Sequence, residues 1–222
     1  MANQNDSFID EVTEELRRDR LYGAMRRYGW IGILLIVVIV GGAAWREYSL
    51  ARKRAAAEAW GDAILAAEAA DDPAAILAVD PRGSTGRAAL AGLLAAGEYA
   101  GSGDDAAAAE TLRGVSDAAE RAVLIDLAQL KLVMLNGSDM DPSERDAILT
   151  RLSRTGAPFE LLALEQKAVA LVDAGRSEDA VSLIRQIQQK DGLTEALRRR
   201  LSEMMIALGA EPEPADMADA TN

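Results

Sequence analysis

The sequence predicts an all-α protein: a single N-terminal transmembrane helix followed by a solenoid of helical hairpins. Three observations predict it. An uncharged, apolar run covers residues 28–45. Beyond it a hairpin skeleton recurs, with turn glycines 34 residues apart. Nowhere is there the sustained period-2 run of β-branched or aromatic residues that a strand requires. Composition agrees, since half the residues are hydrophobic but only 4% are aromatic. Much of that apolar content is alanine, which builds closely packed helices rather than thick aromatic cores.

Residues 1–27 read as a cytosolic amphipathic leader. Ser7 followed by Asp10 fits a capping box. Phe8, Val12 and Leu16 then repeat every four residues along one helical face, with Glu and Arg on the others. The leader is either a short solvated helix or a contact handle for a cytosolic partner.

Residues 28–45 form the predicted membrane span. From Ile31 to Val40 every residue but Gly32 is Ile, Leu or Val. At ~0.3–0.6 kcal/mol each, these side chains favour insertion by roughly 3–5 kcal/mol. The uncharged run, about 18 residues, sits at the lower end of a spanning helix. Trp30 and Trp45 mark its ends, with Tyr28 and Tyr48 just outside, as an aromatic belt at the wet–dry boundary does. Arg26, Arg27 and Arg46 close the span, where they can snorkel to the headgroups. A buried soluble helix rarely uses so continuous an apolar run. A cleaved signal peptide would fit Gly42 and Ala44, but not the long acidic stretch before the run. Arg17, Arg18, Arg20, Arg26 and Arg27 precede the span, against Arg46, Arg52, Lys53 and Arg54 after it. That small excess leans toward a cytoplasmic N-terminus and a domain on the far side.

Residues 46–208 read as the repeat domain, with helices near 46–70, 73–79, 85–100, 104–115, 117–136, 142–154, 158–174, 177–190 and 193–208. One skeleton runs Ala168, Leu171, Gly175, Ala180, Ile184, Ile187. It recurs at Ala96, Tyr99, Gly103, Ala108, Leu112, Val115, and its first half at Leu130, Val133, Gly137. The glycine reverses the chain without Cβ strain, and the small residues let two antiparallel helices approach closely. Gly137 and Gly175 are 38 apart, the excess matching a turn insertion at Asp139 to Glu144. An earlier turn at Asp71-Asp72-Pro73 suits a helix start. This is the skeleton of a tetratricopeptide (TPR) hairpin, and the region resembles a TPR-like solenoid of about four hairpins closed by a final helix. The usual Trp and Gly of the first helix are missing, and Gly192 stands where the repeat ends on Pro. The last helix carries Leu197, Leu201, Met204, Met205 and Leu208 at helical spacing and reads as a cap. Residues 209–222, rich in Pro, Glu, Asp and Ala, read as a disordered acidic tail.

Several function classes fall away. A net charge of −12 argues against nucleic acid. With no cysteine and no histidine, zinc sites of the common kinds, thiol nucleophiles and His general bases are excluded. Asp71-Asp72, Asp104-Asp105 and Asp139-x-Asp141 lack the calcium-loop spacing and read as helix caps. No paired-acid constellation points to carboxylate catalysis, no cofactor is implied and no small-molecule substrate is indicated. Gly41 to Ala44 is a small-residue patch without the GxxxG spacing of a dimerising span.

At the level of particular segments the chain resembles the YfgM-like family of bacterial inner-membrane proteins, alphaproteobacterial type. The segments that carry this are the leader Phe8-Ile9-Asp10-Glu11-Val12 to Arg17-Arg18-Asp19-Arg20, the approach Arg26-Arg27-Tyr28-Gly29 and the exit Trp45-Arg46-Glu47-Tyr48. Ala55 to Ala67, Thr85 to Val115 and Leu201 to Met205 are also similar. The resemblance implies a short cytosolic N-terminus, one inner-membrane anchor and a periplasmic TPR-like domain. It implies an accessory role at the Sec translocon, beside a membrane-anchored periplasmic prolyl isomerase, passing unfolded or translocating polypeptides to periplasmic chaperones. It carries no catalytic residues. The same architecture would equally serve a structural scaffold in another envelope complex, in division or outer-membrane assembly.

A TPR stack binds partners along the concave face lined by the first helix of each hairpin. Matching the sequence to the repeat places Leu90, Leu93, Leu124, Leu127, Lys131, Met134, Leu162, Glu165, Val169 and Asp173 there. They line an apolar groove for a partner helix or unfolded chain, or several are core and only Lys131, Glu165 and Asp173 are exposed. A third possibility is that the chain's own last helix fills the groove.

Overall fold

The first proline is Pro73, so no proline interrupts a helix upstream of it. In the computed structural model, which describes the backbone of residues 4–211 and the side chains of residues 26–211, α1 runs unbroken from Gln4 to Glu68. Leader, apolar run and the following segment are therefore one helix. It begins at Gln4, upstream of Ser7, the expected start. The face pattern of the leader's side chains and the tail beyond residue 211 lie outside the described residues.

The chain divides into two compact units, Met1–Ala59 and Trp60–Asn222. In the first, α1 contains a segment long and apolar enough to cross a membrane, and none of it is buried. Ile33, Leu35, Val38 and Val40 are all more than half exposed.

The second unit opens on the end of α1, whose buried positions there are Ile64 and Ala67. Asp71 turns the chain with φ 55°, and α2 follows at Pro73–Leu77. Then come α3 (Thr85–Gly101), α4 (Asp105–Ala118), α5 (Ala122–Asn136), α6 (Pro142–Leu152), α7 (Glu160–Asp173), α8 (Ser177–Gln188) and α9 (Glu195–Ala207). No strand occurs among the described residues. The starts follow from short polar side chains. Asp72, Ser84, Asp104, Asp141 and Thr194 each accept a backbone N–H of the first turn, filling donors that a helix leaves open. Capping is thus what the acidic pairs do.

Successive helices contact one another along the stack, most extensively α3 with α4, α4 with α5 and α7 with α8, and the first helices α3, α5 and α7 also meet. The core runs through the stack as three clusters. Ile64, Ala67, Ile76, Ala91 and Ala95 form the first. Leu93, Leu112, Leu130, Leu149 and Leu152 belong to the second. Ala168, Ile184, Ile187, Leu197, Leu201 and Met205 form the third. Each hairpin buries one face against the next, so no hairpin has a complete core alone.

Two turns correct the sequence reading. Gly103 and Gly175 have φ 83° and 72°, the left-handed turn that favours glycine. Gly137, placed in the same role, instead has φ −56°. Its reason is space: a Cβ there would lie 2.5 Å from the Val133 carbonyl oxygen. The insertion that follows folds inward and buries Met140. The second correction is the break between α4 and α5, which falls at Ala119–Arg121 rather than near 116.

Candidate partner-binding surface

The first helices α3, α5 and α7 lie side by side, because small residues on each admit its neighbour. Their C-terminal halves enclose two adjoining clefts that share Met134 and Leu135. One, of about 210 Å³, is floored by Gly97, Ala100 and Leu112 and edged by Lys131. The other, of about 260 Å³, lies between α5 and α7, against Gln166, Val169 and Asp173. Met134 stands between them, 59% exposed. A flexible thioether on a ridge between two hollows is suited to adaptable apolar contact.

Charge frames this strip. Lys131 lies at the α3 side. At the α7 side Arg145 donates to the Gly137 carbonyl at 2.6 Å and faces Asp173 at 3.8 Å. Arg145 is largely buried while Asp173 is half exposed, so a carboxylate oxygen of Asp173 remains open to a partner's donor.

Two larger clefts lie elsewhere. One of about 590 Å³ runs between α3 and α4, walled by Ala88, Gly92, Gly114 and Ala118 with Val115 at its base. A Cβ on Gly92 would come 2.4 Å from Val115 Cγ2, which is how closely these helices approach. The other, of about 620 Å³, is formed by the loops before α7 and before α9. There Lys190 donates to Glu160 at 2.8 Å, and the Gly156 N–H donates to its other oxygen at 2.7 Å. These bonds, the lysine's first, hold the Glu160 carboxyl below the ordinary range.

The residues expected along the concave face separate. Lys131, Met134, Val169 and Asp173 come together at the adjoining clefts. Leu162 is exposed but lines the cleft between the two loops. Leu90 is 44% exposed and lines none of these clefts. Leu124 and Leu127 are half-buried and pack against the central core, and Leu93 is buried within it. Glu165, expected at the surface, is only 7% exposed. Its carboxylate turns to α9, where Arg200 meets it. The last helix therefore packs on α7 and α8 as the next hairpin would, with Leu197, Leu201 and Met205 in the shared core.

Sequence reasoning missed Arg145, Gly97 and Gly92. Gly97 and Ala100 could have been found, since they flank Tyr99 of the recurring skeleton. Arg145 sits in the insertion, where no repeat pattern applies.

A search of curated proteins and one of solved structures gave no match. The profile of one family, described as a tetratricopeptide repeat-like domain, matches residues 23–207. That span takes in the apolar segment of α1 together with all the hairpins. The match covers most of the chain, which therefore belongs to the tetratricopeptide repeat-like domain family.

Proposed function

We propose that this protein is a membrane-anchored interaction module of the bacterial inner membrane, with its N-terminus in the cytoplasm and its repeat stack in the periplasm. Repeat stacks of this kind are typically non-catalytic scaffolds that present a surface to other proteins. In this reading the apolar segment of α1 lies in the lipid, and the Met134 strip takes an apolar segment of an unfolded or translocating chain. The observation that carries it is the reach of the family profile, which begins at residue 23 and treats the apolar helix and the hairpins as one unit. The leader and exit segments that resemble the YfgM-like family make the Sec translocon, with its membrane-anchored prolyl isomerase, the partner to test first.

The chain has no cysteine, so single cysteines report cleanly. Leu127 packs on the core, so the positions to use are Met134 and Lys131. Photo-crosslinking from Met134→Cys alkylated with a benzophenone maleimide in living cells is expected to trap Sec channel subunits or secretory chains. A membrane-impermeant maleimide is expected to label the same thiol from the periplasmic side. Adducts confined to division or outer-membrane assembly proteins would replace the translocon reading with a scaffold in that complex. Labelling only after the inner membrane is breached would reverse the topology.

A further inference from the structure

We propose that the first turns of α1 beyond the apolar segment form a collar that binds anionic phospholipid headgroups. The collar consists of Arg46, Arg52, Lys53 and Arg54, and rests on the reading of α1 as a membrane anchor.

Four observations support it. All four cations are exposed, and none meets a carboxylate among the described residues. The sign of the chain changes sharply beyond them. The charged residues that follow, Glu58, Asp62, Glu68, Asp71, Asp72 and Asp80, are all acidic until Arg82. Arg52 is also held in a ladder. Trp45 and Tyr48 lie with ring centroids 6.5 Å apart, and the Arg52 guanidinium sits 5.8 Å from the Tyr48 ring. That ladder leads from the edge of the apolar run to a cation two turns further on.

The fourth observation is height. At 1.5 Å per residue, Arg52 to Arg54 have their Cα atoms roughly 10–14 Å beyond Trp45 along the axis. Helical side chains lean back toward the N-terminus, here toward the lipid. The guanidinium groups therefore reach the level of the phosphates, which lie within about 5–8 Å of the hydrocarbon edge.

The arrangement favours lipid over an acidic protein. At about 100° per residue, Arg46, Arg52 and Arg54 point to three different sides of α1. A protein partner would engage one side, whereas headgroups surround an upright helix on all sides. The acidic residues that follow in the chain are repelled by the same surface, so on this side of the apolar segment the four cations are what draws anionic lipid.

The test uses the full-length protein carrying Trp30→Phe, reconstituted in phosphatidylcholine nanodiscs. A minor share of the lipid is brominated phosphatidylglycerol in one sample and brominated phosphatidylcholine in the other. Bromine quenches Trp45, which reports the lipid beside the collar; Trp60 gives a constant background. The expected result is severalfold stronger quenching by the anionic lipid, falling with added salt. The triple variant R52Q/K53Q/R54Q is expected to lose most of that preference, so that the two lipids quench nearly alike, and R52K/K53R/R54K to keep it. Equal quenching by both lipids, or a preference that survives the neutral triple variant, would overturn the collar while leaving the anchor intact. A Trp45 quenched by neither lipid would overturn the anchor, and the collar with it.

Discussion

Arg200 donates two hydrogen bonds to Glu165, Nε to Oε1 at 2.6 Å and Nη2 to Oε2 at 2.8 Å, and so ties α9 to α7. Glu165 is buried, whereas the Arg200 side chain is 46% exposed. The two partners are therefore not equivalent. Arg200→Ala leaves a desolvated carboxylate without a partner, which costs about 1–3 kcal/mol. For a chain of this size each 1 kcal/mol lowers Tm by about 2–4 °C. The double variant E165L/R200M removes the charge and fills the site. It is expected to melt above Arg200→Ala alone in detergent. A double variant less stable than the single one would show that the ion pair itself, not burial of a lone charge, holds the cap.

Gly92 and Val115 set the distance between α3 and α4. Gly92→Ala places a methyl group 2.4 Å from Val115 Cγ2, and Val115 is buried with a stiff, branched side chain. Overpacking of this kind costs about 1–3 kcal/mol, less the ~1 kcal/mol gained in helix propensity. In the pair G92A/V115A the new methyl occupies the space the valine leaves. Thermal melts of the four proteins are expected to show the double variant more stable than the sum of the singles predicts.

Gly175 reverses the chain between α7 and α8 at φ 72°, so Gly175→Ala is expected to cost about 1–2 kcal/mol. Gly137→Ala is expected to destabilise for another reason, the contact with the Val133 carbonyl oxygen. An asparagine separates the two. Asn tolerates the left-handed turn, so Gly175→Asn regains part of the loss, while Gly137→Asn regains none.

Stability is also expected to fall in acid through two groups. Lys190 and the Gly156 N–H depress Glu160, and the Ser143 hydroxyl, with the Glu144 and Ser143 N–H groups, depresses Asp141. Because the folded values lie below the ordinary ones, the unfolded chain takes up these protons first as pH falls. The stabilisation is whole above the ordinary carboxylate range of about pH 4. It fades as pH drops from there through the depressed folded values. Melts of Glu160→Gln are expected to start below the parent at neutral pH and converge on it in acid. A constant gap at all pH values would rule out the linkage.

Substitution of Met134 separates surface from stability. Met134→Glu places a charge on a residue that is 59% exposed, so stability, read from thermal melts, is expected to change by less than about 0.5 kcal/mol. Crosslinking from Lys131→Cys, one turn away, is expected to lose its partner. An unchanged crosslink pattern would take this strip out of the proposed binding surface.

The sequence by itself determined what depends on local pattern. The apolar run between two tryptophans, the period-3.6 faces of α3 to α9, the capping aspartates and the turns at Gly103 and Gly175 are all read within one or two turns of the chain. So was the repeat, since the spacing of its skeleton survives a degenerate consensus. Only the tertiary structure decided which exposed-looking positions are covered. Glu165 and Val169 sit one turn apart on α7, yet one is buried under α9 and the other borders a cleft. The break at Ala119–Arg121 carries no glycine, proline or capping side chain, and Gly137 keeps a helical φ. For Glu165 the cause is α9, which lies over α7; for Gly137 it is the Val133 carbonyl of its own helix. The angle at which two helices cross fixes what each one covers, and that angle is set by close approaches such as Gly92 to Val115, between residues more than 20 apart in the chain.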